Sequence, residues 1–136
     1  MPVSTRTDSV KRRVYCTGYG ILTSDEINEH MDVLVRDPEF DGTFSQLVDF
    51  REVTEVRLTH DEIFELAKRQ VFSDTSKRAF VMANAMQFGI ARMFQSYRAA
   101  YGERGIRIFT NAEDALTWLD LEDRVQHQVQ GPYVVG

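Results

Sequence analysis

The stretch Gln46-Leu47-Val48-Asp49-Phe50-Arg51-Glu52-Val53-Thr54-Glu55-Val56-Arg57-Leu58-Thr59-His60-Asp61-Glu62-Ile63 decides the fold. Its opening, Gln46 to Phe50, is rich in residues that suit a pleated, half-buried strand. A second apolar segment, Val53 to Leu58, leads into Thr59-x-x-Glu62. That spacing is a capping box: the Thr oxygen accepts from the third helical N–H, and the Glu reaches back to the cap N–H. Ile63, Leu66, Ala67 and Val71 then recur at helical spacing. Strand, cap and helix follow one another, which is one βα unit.

The same grammar recurs on both sides. Thr23-x-x-Glu26 follows the apolar Tyr19 to Leu22, and Thr110-x-x-Glu113 follows Ile106 to Phe109. After Thr23, the residues Ile27, Met31, Leu34 and Val35 share a helical face until Pro38, whose ring disfavours helical geometry at Asp37. Ser73 to Ser76 breaks the second helix. A third helix is predicted from about Ala85, with Met86, Ile90, Met93, Phe94, Tyr97 and Tyr101 as its core stripe and Gly102 or Gly105 as its stop. Ala112, Ala115, Leu116 and Leu119 make a fourth. Val3 to Thr7 and Val10 to Gly18 read as a hairpin across an Asp8-Ser9 turn, and Arg78 to Ala83 and Ile106 to Phe109 as later strands. The expectation is an α/β fold: a mostly parallel five-stranded sheet, an N-terminal antiparallel hairpin, and about four helices mainly on one face. Arg107, between Ile106 and Ile108, and the alternating Lys11 and Arg13 leave part of the second face wet or partner-covered.

Composition bounds the class. A chain of 136 residues, 43% apolar and 27% charged, reads as one globular domain, 1–121, followed by a polar tail, 122–136, that ends in Tyr133-Val134-Val135. The formal charge of −5 offers no global attraction to nucleic acid or anionic membrane. The local basic run Arg6, Lys11, Arg12 and Arg13 reads as a solvated strand face. A single cysteine, Cys16, excludes an internal disulfide or a cysteine zinc cluster. No signal-peptide-like run and no span of about 18 apolar residues is present, so a reducing, cytoplasmic setting is expected.

Reactive groups are sparse. Gly18-Tyr19-Gly20 lies where a dinucleotide fingerprint would, but lacks the third glycine; a tight turn is the simpler reading. Cys16 has no histidine placed beside it, so a buried thiol is expected. His30, His60 and His127 lack ligand spacing, and His30 reads as a hydrogen-bonded structural histidine. Asp49 ends a strand as ligand-facing carboxylates do, but Arg51 offers it a local partner; Asp49, Arg51 and Glu52 are the sole enzymatic candidates. On the third helix, Phe88 falls opposite the predicted stripe, beside Arg92, Gln95 and Ala99. It is either an interaction anchor or is covered by neighbouring chain. No catalytic residue, metal site or cofactor is predicted.

Gly20-Ile21-Leu22-Thr23, Leu47 through Val56, Phe88-Gly89-Ile90-Ala91-Arg92-Met93-Phe94 and Glu113 through Leu119 together resemble the STAS family, the bacterial anti-sigma-factor-antagonist type, and within it small STAS/Sec14-like domains. The resemblance runs across nearly the whole domain. It implies a non-enzymatic regulatory or protein-interaction module, with a homodimer among the partners it allows, or alternatively a Sec14-like carrier of a small apolar ligand. It also places Thr59 where antagonists carry a phosphorylatable Ser. Here Arg57-Leu58-Thr59-His60 replaces the family's motif, Asp61 and Glu62 oppose added negative charge, and Thr59 has a structural task as a cap.

Overall fold

The computed structural model describes residues 3–129, with side chains as far as Leu121. The elements are β1 (Val3–Asp8), β2 (Arg13–Thr23), α1 (Ser24–Arg36), β3 (Ser45–Arg57), α2 (His60–Lys68), β4 (Arg78–Val81), α3 (Ala85–Ala100), β5 (Ile106–Phe109) and α4 (Ala112–Val129). One sheet runs in the order β1-β2-β3-β4-β5. β1 is antiparallel to β2, and every later pairing is parallel. Strand order follows chain order from β2 to β5, so each connection steps the same way across the sheet. Right-handed crossovers made in one direction put their helices on one face. Accordingly α1, α2 and α3 share a face, over Val14, Cys16, Val48 and Phe80. α4 lies on the other, where Ala115 and Leu119 meet Leu47, Ala79 and Val81. The predicted architecture is therefore the observed one.

Details differ for physical reasons. The hairpin turn spans 9–12 rather than Asp8-Ser9. Asp8 accepts from the N–H groups of Val10 and Lys11, and Arg12 takes a positive φ of 56° before β2 begins at Arg13. β2 then runs through Gly18 and Gly20 to Thr23, so the two glycines lie inside a strand and form no phosphate-cradling loop. Gly20, at φ 68°, sits at a register shift between β2 and β3 that a side chain would strain. Nor is the basic N-terminal run wholly solvated. Arg13 is 1% exposed and pairs with Asp120 of α4 at 3.0 Å. Arg107 is exposed on the α4 side, its guanidinium lying over Phe109 and Trp118.

Of the three capping boxes, Thr59 alone forms one. Thr23 makes no side-chain cap bond, and α4 is capped by Asn111, whose Oδ1 accepts from Asp114 N at 2.8 Å. α1 stops at Arg36, before Pro38 as predicted, but Val35 is exposed. α2 ends at Lys68, short of Val71. α4 continues past Leu121 into the segment expected as tail. Tyr133 to Val135 lie outside the described residues.

The largest correction concerns α3. Its fully buried positions are Gln87, Ala91 and Arg98. Of the predicted stripe, Ile90 and Phe94 do face the sheet and Tyr97 meets Phe64 of α2, but Met86 and Tyr101 at its ends are 65% and 50% exposed. Apolar spacing missed the centre of the face because two long polar side chains occupy it. Gln87 bonds Ala83 N–H and Val53 O, and Arg98 bonds Glu103 and Ala67 O, which makes their burial tolerable.

An apolar cavity and its charged end

The sheet face beneath α1, α2 and α3 does not close completely. A cavity of about 100 Å3 lies between Cys16, Val48 and Phe80 on the sheet, Ile27 and Met31 of α1, Ile63 and Leu66 of α2, and Ile90, Ala91 and Phe94 of α3. Its walls are chiefly hydrocarbon. Polar groups gather at one end, in His30, Gln46 and Arg78.

Sheet register creates that end. Gln46 and Arg78 are neighbours on β3 and β4, and Arg78 Nε donates to Gln46 Oε1 at 3.0 Å. With its oxygen so engaged, Gln46 turns its amide N–H toward His30 Nε2, 3.3 Å away. Nε2 therefore accepts, the ring proton sits on Nδ1, and Nδ1–H donates to Thr5 Oγ1 at 2.7 Å. Burial and then the nearby Arg78 charge push the His30 pKa down to about 4, so the ring is neutral at pH 7. It is the hydrogen-bonded structural histidine that the sequence predicts.

The rest of the cluster comes from the end of α3. Gly102, at φ 101°, lets the chain reverse: Gly102 N–H bonds Ala99 O and Glu103 N–H bonds Arg98 O, a Schellman motif. This return aims Glu103 inward. Both its oxygens accept from Arg78 Nη1 at 3.0 Å, and Oε1 also accepts from Arg98 Nε at 2.8 Å. Arg98 Nη1 donates to Ala67 O at 2.7 Å, tying α3 to α2. Arg78, Arg98 and Glu103 are 8%, 1% and 1% exposed. The Arg78 guanidinium packs 4.5 Å from the Phe72 ring centre and 5.6 Å from those of Phe80 and Phe94. Desolvation, the largest influence, lowers its pKa, and Glu103 opposes that.

Of the residues singled out by sequence, His30 and Cys16 line this cavity, and Asp49, Arg51, Thr59, Phe88 and Arg92 do not. Asp49 and Arg51 project to the α4 side of β3 and pair with each other. Asp49 Oδ1 accepts from Arg51 Nε at 3.0 Å and Oδ2 from Nη2 at 2.8 Å, which holds the Asp49 carboxyl below its ordinary range. That is the local anchoring expected of them. Thr59 is exposed, and its hydroxyl accepts from Glu62 N–H at 3.1 Å. Phe88 is half-buried and packs on the core cluster of Cys16, Val48 and Phe80, so it is no free anchor, whereas Arg92 is exposed. Cys16 is 2% exposed, and burial pushes its thiol up to about 12, an unreactive state. Among the described residues no group of three or more His, Cys, Asp or Glu could hold a metal, and no helix is long and apolar enough to cross a membrane.

Sequence reasoning missed Gln46, Arg78, Arg98 and Glu103. One signal was there: Arg78 opens a short apolar strand, where a charge demands a partner. Naming the partner required the fold.

No protein-family model matches the chain, and no curated protein does. Among solved structures it is similar to an uncharacterised protein of the DUF3478 family, with a SpoIIAA-like fold, from Shewanella loihica PV-4. The two superpose with a TM-score of 0.53 at 17% identity, over 86% of this chain and 91% of that one. At that identity the likeness shows the fold: this chain has the SpoIIAA-like, or STAS, architecture.

Proposed function

We propose that this STAS-like chain is a non-enzymatic regulatory module that takes up a small, largely apolar ligand between its sheet and helices. The observation that carries the reading is the cavity beneath α3, lined by Val48, Phe80, Ile90, Ala91 and Phe94. Interiors are ordinarily packed to the density of organic crystals, so a space of this size among side chains from three helices is costly unless it is used. An apolar cavity of about 150 Å3 takes up benzene, and this one is about 100 Å3, so the guest has at most about half a dozen non-hydrogen atoms. The unreactive Cys16, the self-paired Asp49 and Arg51, and the neutral His30 supply no nucleophile with an adjacent base, in keeping with a binding rather than a catalytic role. A protein-interaction role through Phe88 and Arg92 has less support, because Phe88 packs inward.

Native mass spectrometry after gentle purification, together with thermal shifts against benzene and pyrrole, tests the reading. The expected result is a retained small molecule or a rise in melting temperature. Both should be lost in Ala91→Phe, which fills the space from α3. An apo mass and a melting temperature unmoved by every probe would refute it.

A further inference from the structure

Counting charge at the polar end of the cavity exposes an imbalance. Arg78 and Arg98 are both nine-tenths buried or more, and their ion pairs end on the same carboxylate, Glu103. Among the described residues neither arginine pairs with a second acid. His30 is neutral and Cys16 is protonated, so the cluster carries one positive charge in excess. Burying a charge without its complement is among the costliest things a fold can do. Among the described residues two buried side-chain polar atoms lack a partner, Glu26 Oε2 of α1 and Arg98 Nη2, and the second belongs to this cluster. Arg78 commits Nε to Gln46 and Nη1 to Glu103, and among the described residues Nη2 has no acceptor. Of the two arginines only Arg78 lines the cavity. The other arginine there, Arg69, has its Nη2 on Asp32 at 2.6 Å.

We infer that the ligand is an anion: a small carboxylate whose hydrocarbon body fills the space among Val48, Ile90 and Phe94 and whose charged end meets the free edge of the Arg78 guanidinium. This rests on the ligand-binding reading above and narrows it to a chemical class. A carboxylate supplies what the site lacks, one negative charge and lone pairs for an unused N–H edge. Phe72, Phe80 and Phe94 pack against the guanidinium, so the pairing would be made largely out of water, where it is stronger. A neutral guest of the same shape would gain the apolar contacts and leave the excess charge as it stands.

Calorimetric titration and melting curves of the unaltered protein with butanoate, butan-1-ol and butylamine read this directly. The expected order is butanoate at least tenfold tighter than butan-1-ol, with butylamine weakest. Arg78→Met should erase the preference for butanoate while keeping uptake of butan-1-ol. If that variant does not fold, the selectivity of the unaltered protein still decides. Butan-1-ol binding as tightly as butanoate, or more tightly, overturns the anion assignment and leaves the ligand-binding reading standing. Failure of all three probes to bind overturns both.

Discussion

Glu103→Gln isolates the energetic core of the site. The substitution conserves volume but removes the carboxylate shared by Arg78 and Arg98, and turns amide N–H donors toward guanidinium donors. Glu103 accepts three hydrogen bonds of 2.8–3.0 Å and is 1% exposed, so water cannot replace what is lost. Breaking a buried ion pair by removing one partner costs about 3–5 kcal/mol, because the remaining charge stays desolvated. At roughly 4 °C per kcal/mol for a domain of this size, the melting temperature should fall by about 12–20 °C. Urea unfolding followed by circular dichroism measures it. The cost should shrink in Arg98→Met/Glu103→Gln, since removing one cation relieves part of the excess, so the two changes should be strongly non-additive. A loss under about 1 kcal/mol for Glu103→Gln, or simple additivity in the double variant, would refute the shared-carboxylate account.

Three further outcomes follow from particular contacts. Thr59→Ala should cost about 1 kcal/mol in urea unfolding, but Thr23→Ala and Thr110→Ala only a few tenths, because Thr59 alone closes its capping box. The pH dependence of stability should carry a mark of His30. Its folded pKa of about 4 lies below the ordinary 6.5, so the unfolded chain binds the proton first. Stability is then full above pH 6.5 and falls as pH drops toward 4, by up to about 3 kcal/mol; His30→Gln should flatten that slope in melting curves taken across the range. Gly105→Ala should fold poorly or lose about 3 kcal/mol or more by the same measurement, since a Cβ there would stand 1.9 Å from the Ser76 carbonyl oxygen. Near-normal stability of that variant would show that the chain before β5 is placed differently.

The sequence by itself determined the order of elements and most of the architecture. Alternation of β-rich segments with helical stripes is a local signal. Once strands succeed one another through helical crossovers, handedness leaves few arrangements open, and the three helices on one face follow. Local chemistry that needs a few residues was legible too: the Thr59 box, the stop before Pro38, and Asp49 held by Arg51. Where a neighbour could substitute, local reading failed, as when Asn111 took the cap expected of Thr110. The site was out of reach for a different reason. Gln46, Arg78 and Glu103 are far apart in the chain and meet only through the β3–β4 register and the reversal at Gly102. Spacing rules assign polar residues to water, and only tertiary contacts can make it tolerable to bury Gln87, Arg98 and Arg78 instead. With them buried, α3 keeps Ile90 and Phe94 toward the sheet, brings Phe88 onto the core as well, and borders a cavity with an arginine at its end.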